Sequence, residues 1–307
     1  MPPKPAVSVI ILTYNRLPLL QACLTSLHRQ TFQDFEIIVV NNDSDPAKPC
    51  KTREFLATQP DVLVVNLPTN VGIATARNLG IQAANADLLA FIDDDCTAAP
   101  DWLETLLSPF KDTAVAGAGG KLIVVPANYV SFENGCVDRF GTARTVNPTE
   151  APRETFPYFV GCNMAFRKAL VEGVGGFDET FCFGYEEPDL CVRLVKGGRH
   201  LVFENKAVVF HHIIPQGKYA VDKFYWMARM RRLFMLKHFF DQLTVLSLVS
   251  FEAFTSARHL YRFLAGLLGL RPALPASRLP STLIGGLAGY AEGLARLCRD
   301  HKSLRLF

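Results

Sequence analysis

The chain has 307 residues, 49% hydrophobic and 20% charged, which is enough for one large domain with a buried core or for a domain plus an appendage. No uncharged apolar stretch approaches the roughly 20 residues of a membrane-spanning helix, so we expect no span. The net charge of +3 combines 18 Lys and Arg against 24 Asp and Glu in residues 1–215 with 14 against 5 in residues 216–307. The basic C-terminal segment predicts a phosphate-rich partner, either nucleic acid or an anionic membrane surface.

The cysteines and the N-terminus narrow the class of protein further. None of the eight cysteines forms a C-x-x-C pair, which argues against a zinc ribbon or a thioredoxin-type motif. Their scatter suits reduced thiols in a cytosolic protein. The apolar run Ala6–Leu12 is short and is followed by Thr13 to Arg16 rather than by a small-residue cleavage site. We therefore predict a first strand here and no signal peptide.

The first half of the chain alternates between β-rich runs and segments with helical spacing. Predicted strands cover Val7–Thr13, Phe35–Val40, Val62–Asn66 and Leu88–Ile92, and predicted helices cover Leu17–Gln30, Lys51–Thr58 and Gly72–Ala84. This order predicts a parallel, doubly wound sheet, in which a ligand binds beyond the carboxyl ends of the strands. Because Asn41–Asp45 and Asp93–Asp95 both follow strands, we expect both segments at that edge.

Three consecutive carboxylates, Asp93, Asp94 and Asp95, follow the fourth predicted strand. Two carboxylates about 4 Å apart repel by roughly 4 kcal/mol at an effective dielectric constant of about 20, and a divalent cation turns that repulsion into binding. In an extended strand Asp93 and Asp95 point to one face and Asp94 to the other. The pattern indicates a cation site that also meets phosphate, and a solvated acidic turn is the alternative.

The second half of the chain is less regular. We predict strands within Val115–Val125, Phe159–Phe166 and Ala207–Phe210, a helix at Glu187–Lys196 and an irregular segment at Asn128–Pro157. Further on, aromatic and basic residues interleave in Lys218–Phe240, and Phe251–Leu270 adds two arginines to an apolar run. These helix-prone segments either lie on an anionic membrane surface or cap the first domain with their basic face in solvent.

Several segments together resemble, in order along the chain, the motifs of family 2 glycosyltransferases. They are Val7–Arg16, Asn41–Asp45, Asn70–Gly80, Phe91–Asp95, Gly176–Glu179 and Glu186–Arg193. The resemblance covers roughly residues 6–215. It implies an α/β protein with the GT-A fold, a mostly parallel doubly wound sheet, in which residues 1–215 form the catalytic domain and residues 216–307 a basic, mainly helical extension. The implied type is the rhamnosyltransferase-like enzyme of cell-surface polysaccharide synthesis.

The resemblance implies a nucleoside-diphosphate sugar as the donor substrate. It assigns donor binding to Thr13, Tyr14, Asn15, Arg16, Asn42, Asp43, Arg77, Asn78, Asp93 and Asp94. Asn42 stands where the family often has a uracil-reading Asp, and an amide both donates and accepts, so the identity of the base stays open. Arg77 would pair with a strand-end carboxylate or with a donor phosphate, and an ordinary surface arginine is the alternative.

The same resemblance implies a divalent cation, Mn²⁺ or Mg²⁺, held by Asp95 and His211. The cation would bridge the two donor phosphates and offset the charge that develops on the leaving nucleoside diphosphate. Neutral imidazole suits such a ligand role, although a purely structural histidine is the alternative.

Glu187 stands where the family has its general base, usually an Asp, and Asp189 is the nearest substitute. A base must come within about 2.6–3.2 Å of the proton that it takes, so geometry decides between them. The alternative is that these acids only stabilise the first turn of a helix. Gly161, Asn163 and Glu186 are assigned to the acceptor side, and a single base with direct displacement implies inversion at the anomeric carbon.

Two other functions remain open at this level. Asp93-x-Asp95-x-Thr97 also resembles the motif of haloacid-dehalogenase-type phosphatases, although three predicted strands precede it. A non-catalytic sugar-nucleotide-binding protein of the same fold is the second alternative, and the Glu at position 187 is its support. For the enzyme, we expect a saccharide or lipid-linked acceptor, no nucleic acid, and a cytoplasmic location with peripheral contact to the inner face of the cell membrane left open.

Overall fold

A computed structural model describes residues 4–42, 45, 47, 50–146, 154–212, 223–267 and 278–304, without some side chains of the last two helices. The strands are β1 (Val7–Thr13), β2 (Phe35–Asn42), β3 (Val62–Leu67), β4 (Leu88–Asp93), β5 (Cys96–Ala98), β6 (Val115–Val125), β7 (Tyr129–Phe132), β8 (Gly135–Asp138), β9 (Ala143–Thr145), β10 (Thr155–Pro157), β11 (Met164–Arg167) and β12 (His200–His212). The α-helices are α1 (Leu17–Leu27), α2 (Lys51–Leu56), α3 (Ile73–Ala83), α4 (Trp102–Leu107), α5 (Lys168–Gly173), α6 (Glu186–Lys196), α7 (Lys223–Phe239), α8 (Val245–Leu267) and α9 (Arg278–Leu304).

Most strands form one sheet in the order β3-β2-β1-β4-β11-β6-β12-β5, and β7 pairs with β6. The pairs β3–β2, β2–β1 and β1–β4 are parallel, as the βα alternation predicts, and β11 is inserted antiparallel between β4 and β6. The parallel register places Thr13 beside Asn41 and Leu12 beside Asp93. The carboxyl ends of β1, β2 and β4 therefore meet at one edge.

Alternating side chains of the central strands enter two apolar layers, one on each face of the sheet. Val7, Val9 and Ile11 pack with the buried residues of α1 and with Trp102 of α4. Ile10 packs on the other face with residues of α3 and α6. Because both faces are covered, β1 is a continuous apolar run, which is typical of parallel sheets.

The structure corrects the sequence prediction at several strands. The predicted strand Phe159–Phe166 is limited to Met164–Arg167, and the predicted Ala207–Phe210 is part of the longer β12. The segment Asn128–Pro157 is not irregular throughout, since its described residues include β7 to β10. A short strand that the sequence did not predict, Cys96–Ala98, follows the acidic triplet and pairs antiparallel with the end of β12.

The chain divides into two compact units. The first holds residues 1–136, 143–182 and 186–216, and the second holds residues 137–142, 183–185 and 217–307. The domain boundary predicted at residue 215 lies outside the described residues. In the second unit, Tyr185 donates a hydrogen bond to the carbonyl of Gly141 at 2.6 Å, and Arg231 donates to the carbonyl of Phe140 at 2.7 Å.

Helices α7 and α9 of the second unit approach closely along a row of glycines in α9. A Cβ atom at Gly289 would lie 2.4 Å from the carbonyl oxygen of Arg229, and one at Gly293 would lie 2.5 Å from Leu236. Small residues four apart let two helix backbones come this close. Within the described residues, none of the helices combines the length and the apolar character that crossing a membrane requires.

Candidate active site

The acidic triplet lies where β4 turns into β5. Asp93 is the last residue of β4, and Asp94 and Asp95 form the turn that follows. Asp93 and Asp95 are partly exposed, whereas Asp94 is fully buried. The three side chains therefore lie in different environments.

Asp94 points into the protein and anchors the loop after β1. Thr13 donates a hydrogen bond to Asp94 at 2.7 Å, and the guanidinium of Arg16 lies 2.6 Å from the other carboxylate oxygen of Asp94. Burial raises the pKa of Asp94 to about 7, against the opposing effects of Arg16 and Thr13. Arg16 also donates to Asp95 at 2.7 Å, so one arginine links two of the three carboxylates.

Asp95 and His211 face each other across the β5–β12 pair. The register puts His211 opposite Cys96, and the His211 imidazole lies 3.6 Å from a carboxylate oxygen of Asp95. Burial alone would raise the pKa of Asp95, but the facing His211 imidazole and the Arg16 charge outweigh it and lower that pKa. Asp95 in turn raises the pKa of His211.

The ligand atoms of Asp95, His211 and Cys96 lie within 4.8 Å of one another, which is close enough to share one cation. Carboxylate oxygen and imidazole nitrogen suit Mn²⁺ or Mg²⁺, but the contact with Cys162 and burial keep the pKa of the Cys96 thiol well above its usual range. The neighbouring His212 contacts Thr97 at 2.9 Å instead. The donor set therefore fits a hard divalent cation on Asp95 and His211, the two residues assigned from the sequence.

Arg77 joins the acidic edge to the start of α6. Its guanidinium is buried and donates to Glu186 at 3.0 Å, and it lies 3.4 Å from Glu187 and 4.0 Å from Asp93. It also stacks over the Phe177 ring at 5.3 Å. Only 1% of the Arg77 side chain is exposed, so the alternative of an ordinary surface arginine is wrong.

Gly161 is packed against this cluster. A Cβ atom there would lie 2.1 Å from a guanidinium nitrogen of Arg77 and 2.2 Å from a carboxylate oxygen of Glu187. A side chain at position 161 would therefore displace the ends of these two side chains. Gly161 was assigned to the acceptor side from the sequence, and the structure brings it beside the candidate base.

The acids of this cluster differ in burial and in pKa. Glu186 is buried, and burial together with the neighbouring Glu187 raises its pKa against the opposing charge of Arg77. Glu187 is 16% exposed. Burial also raises the pKa of Asp93, to about 6, again opposed by Arg77. The raised pKa of Glu186 therefore favours its protonated form.

Three of the predicted site residues lie away from this cluster and have structural partners. Asp189 is fully buried and accepts from Arg193 at 2.8 Å. Asn78 holds the Gly176–Glu179 turn, since it accepts from the Phe177 amide at 2.8 Å and donates to the Phe177 carbonyl at 2.9 Å. Asn163 donates to the carbonyls of Lys121 and Ala207 and accepts from Trp102.

The strand ends near β1 and β2 offer polar groups for a base and ribose. Tyr14 is 45% exposed, and Asn15 adopts a positive φ of 53° as the chain leaves β1. Asn42 accepts from the Val71 amide at 2.9 Å and lies close to Asn70. Asp43 lies outside the described residues. The sequence missed the β5–β12 pair, because β5 is only three residues long and carries no strand pattern.

The fold and the acidic edge together define a class, the GT-A fold of nucleotide-diphospho-sugar transferases. Residues 8–175 match the model of the family described as Glycosyl transferase family 2, and the chain belongs to this family. The predicted family and fold are confirmed, and the family leaves the phosphatase alternative without support.

Individual relatives agree with this family. The pre-mycofactocin glycosyltransferase of Mycobacterium tuberculosis is 33% identical over 210 residues, 67% of this chain and 42% of its own length. The glucosyl-dolichyl phosphate glucuronosyltransferase of Haloferax volcanii is 26% identical over 74% of this chain and 76% of its own. The chain thus spans less than half of the mycobacterial relative.

Among solved structures, the mannosyltransferase PcManGT from Pyrobaculum calidifontis, in complex with GDP-Man and Mn²⁺, has the same fold. Its TM-score is 0.55 at 19% identity, covering 100% of this chain and 82% of PcManGT.

Proposed function

We propose that this protein transfers a sugar from a nucleoside-diphosphate donor to a hydroxyl group of a saccharide or lipid-linked acceptor, with inversion at the anomeric carbon. One observation carries the proposal. Arg77 connects the candidate base Glu187 to Asp93, two residues before Asp95 in the turn that also faces His211. A base and a cation site at one strand edge are what displacement at a phosphate-linked sugar needs.

In this proposal the donor lies across the carboxyl ends of β1, β2 and β4. Tyr14, Asn15 and Asn42 take the nucleoside, and Asp93, which is partly exposed, accepts hydrogen bonds from donor hydroxyls. Asp95 and His211 hold Mn²⁺ or Mg²⁺, which when bound stabilises the charge on the departing diphosphate. Thr13, Asp94 and Arg16 hold the turn in place. For Asp94 this is a positioning role, and Asp94 does not contact the donor directly.

Glu187 is the general base of the proposed reaction. One carboxylate oxygen of Glu187 is held near Arg77, and the side chain is partly exposed, as contact with an acceptor requires. Glu187 takes the proton of the acceptor hydroxyl while that oxygen attacks the anomeric carbon and the nucleoside diphosphate leaves. Asp189 does not compete for this role, because its carboxylate is fully buried on Arg193. Gly161 provides the space beside the base, and Glu186 and Arg77 orient it.

The acceptor and the location of the enzyme belong to the same proposal. The Haloferax relative is named for a lipid-linked sugar substrate, glucosyl-dolichyl phosphate, which supports a lipid-linked acceptor here. A product in cell-surface polysaccharide or glycolipid synthesis follows from such an acceptor. Cys23, Cys50, Cys96, Cys162 and Cys191 are free thiols, which suits the cytoplasm, and the basic C-terminal segment supports peripheral contact with the inner face of the cell membrane.

Thermal unfolding with Mn²⁺ and a panel of nucleotides tests the donor and metal assignments. We expect UDP or GDP to raise the unfolding temperature only when Mn²⁺ is present, since saturation at 100 times Kd adds about 2.7 kcal/mol of stability. Asp95→Asn should abolish this shift, and Asp112→Asn, an exposed acid outside the site, should keep it. A full shift in Asp95→Asn, or a shift equally large without metal, would contradict the metal site.

A further inference from the structure

The second unit exposes an unusual number of large apolar side chains on two neighbouring helices. On α8 they are Leu246, Val249, Phe254 and Tyr261, and on α9 they are Leu283, Ile284, Leu287 and Leu294, with exposed fractions from 46% to 76%. The spacing places each set on one side of its helix. We call these eight residues the apolar face. Single exposed apolar residues are ordinary, but a contiguous set marks an interaction surface.

Helix α9 is apolar on two opposite sides. Gly285, Gly289 and Gly293 pack against α7, and a Cβ at Gly285 would lie 2.1 Å from the carbonyl oxygen of Tyr225. At 100° per residue, Leu283, Leu287 and Leu294 lie on the side of α9 away from these glycines. The glycine side of α9 therefore packs against α7, and the apolar face takes no part in that packing.

Between α8 and α9 lies an open cavity of about 680 Å³, and most of its lining is apolar. It is lined by Leu248, Val249, Glu252, Ala253, Leu283, Gly286, Leu287 and Tyr290. Val249, Leu283 and Leu287 belong both to the cavity and to the apolar face. The surface is thus grooved, and an acyl chain or an apolar side chain would enter it.

One glutamate on each of α8 and α9 is paired with arginine. Glu252 is the sole acidic residue in the sequence of α8, and it accepts from Arg232 at 2.7 Å and from Tyr290 at 2.7 Å. Glu292 of α9 accepts from Arg229 at 2.7 Å and from Arg296 at 3.0 Å. Neither glutamate therefore opposes an anionic partner.

We infer that the apolar face is the surface by which this protein docks on an anionic lipid bilayer. Residues 216–307 hold 14 Lys and Arg against 5 Asp and Glu, so this part of the chain complements anionic headgroups. A second copy of the chain would bring the same excess positive charge and be repelled. The described helices do not meet the requirements for crossing a membrane, so α8 and α9 lie on the surface with the apolar face in the headgroup region.

This inference deepens the membrane contact in the proposed function by naming the surface. It does not depend on sugar transfer, because lipid binding is measured with no donor or acceptor present. A failure to bind lipid would leave the donor and metal assignments standing, and a failure of Mn²⁺-dependent nucleotide binding would leave the docking surface standing.

Sedimentation of the full-length protein with vesicles tests the surface. We expect binding to phosphatidylcholine vesicles that contain phosphatidylglycerol, weaker binding to pure phosphatidylcholine, and weakening at high salt. The double variant Val249→Asp/Leu287→Asp should lose at least about tenfold in vesicle affinity, because it removes two apolar anchors and adds two negative charges. The matched control Leu63→Asp/Val130→Asp makes the same changes at exposed positions of the first unit and should bind as wild type.

Three outcomes would overturn the inference. The first is a wild-type protein that does not sediment with phosphatidylglycerol vesicles, and the second is a Val249→Asp/Leu287→Asp variant that binds them as wild type does. The third is a concentration-dependent dimer, seen by analytical ultracentrifugation without lipid, that the same variant converts to monomer. Circular dichroism and the Mn²⁺–UDP shift establish that each variant is folded. Should the double variant not fold, Leu246→Asp alone, at the most exposed apolar position, carries the same expectation.

Discussion

At the residue scale, the site depends on how one arginine distributes charge among three carboxylates. Arg77 contacts Glu186, Glu187 and Asp93, and burial favours the neutral form of Glu186. In the proposed reaction, the partly exposed Glu187 is then the carboxylate that faces the acceptor. The sequence left Arg77 open to a strand-end carboxylate, a donor phosphate or a surface position. The structure puts it near the strand-end Asp93 and beside Glu186 and Glu187, with only 1% of its side chain exposed.

Substitution of the two candidate bases separates catalysis from structure. Glu187→Gln should lower turnover of a nucleotide sugar by about 10²- to 10⁴-fold, because an amide cannot take the acceptor proton. Asp189→Asn should instead lower the free energy of unfolding by about 3 kcal/mol, because it removes one partner of a buried ion pair with Arg193. Steady-state release of nucleoside diphosphate and urea unfolding measure the two effects.

The Glu187→Gln variant also tests the non-catalytic alternative. It should keep the Mn²⁺–nucleotide shift in unfolding temperature, since Glu187 is not assigned to the metal or the phosphates. Unchanged turnover in Glu187→Gln would remove Glu187 from the base role. Wild-type protein that binds Mn²⁺–UDP and turns over no nucleotide sugar in the panel would support a binding protein.

The ionised Asp93 carboxylate should lower the free energy of unfolding of the metal-free protein. Its folded pKa, about 6, is above the unfolded value of 3.8, so ionised Asp93 disfavours folding above pH 6. Asp93→Asn should therefore stabilise the metal-free protein at pH 7.5 by about 1 kcal/mol, after allowing for the solvent that reaches this partly exposed group.

The pH dependence of that gain gives the sign. As pH falls through 6 toward 3.8, the folded protein takes up a proton at Asp93 before the unfolded chain does, so the gain from Asp93→Asn should shrink. Urea unfolding in EDTA at a series of pH values measures it. A gain that grows toward low pH, or an Asp93→Asn variant less stable at pH 7.5, would show that Asp93 is not buried at a cost.

At the element scale, β5 and β12 assemble the candidate metal site. Neither strand was predicted with its observed bounds, because Cys96–Ala98 is short and His200–Lys206 is polar for a strand. Pairing supplies what the local sequence lacks, since Phe210 and His211 are held opposite Thr97 and Cys96. The His211–Asp95 contact is therefore a product of strand pairing rather than of a motif.

The glycines of β6 are also set by packing. A Cβ at Gly119 would lie 2.1 Å from the Phe159 ring, whereas a Cβ at Gly173, in α5, would meet nothing within 4 Å. Gly119→Ala should lower the free energy of unfolding by about 1–3 kcal/mol through overpacking. The matched change Gly173→Ala should be neutral or stabilising by up to about 1 kcal/mol.

Urea unfolding followed by tryptophan fluorescence compares the two glycine variants, since Trp102 is buried in the same unit. Equal stabilities of the Gly119→Ala and wild-type proteins would mean that the Phe159 ring moves aside freely. A marked loss in Gly173→Ala would mean that α5 ends differently from the structure.

At the scale of the whole molecule, the burial of the cysteines reports on the fold throughout the first unit. Cys23, Cys50, Cys96, Cys136, Cys162 and Cys191 are buried, and Cys182 is exposed. Burial raises the pKa of Cys191 to about 12, and burial also raises that of Cys23. Thiolates react and thiols do not, so the buried cysteines should be protected.

Brief iodoacetamide treatment of the native protein should alkylate Cys182 well before these six cysteines. Peptide mass spectrometry measures the modification at each residue, and the urea-unfolded protein provides the control in which all react. Rapid labelling of Cys23 or Cys191 in native protein would contradict the packing of α1 or α6 on the sheet.

The sequence by itself determined the fold class, the family and the edge where a ligand binds. These follow from local features: continuous apolar strands, helical spacing between them and polar residues directly after β1, β2 and β4. Local periodicity is enough for this, because a parallel sheet forces successive strand ends to one side. It also assigned Asp95 and His211 to a cation, through a resemblance that the described geometry fits.

Only the tertiary structure shows how each of these acids is buried and paired. Asp93, Asp94 and Asp95 are the same residue type, but their surroundings differ. Asp93 is partly exposed beside Arg77, Asp94 is buried and accepts from Thr13, and Asp95 faces His211. The sequence likewise offers both Glu187 and Asp189 as candidate bases, but Asp189 is buried in a contact with Arg193. Burial and charge partners are properties of the folded environment, and they fix whether a carboxyl group binds, positions or only supports.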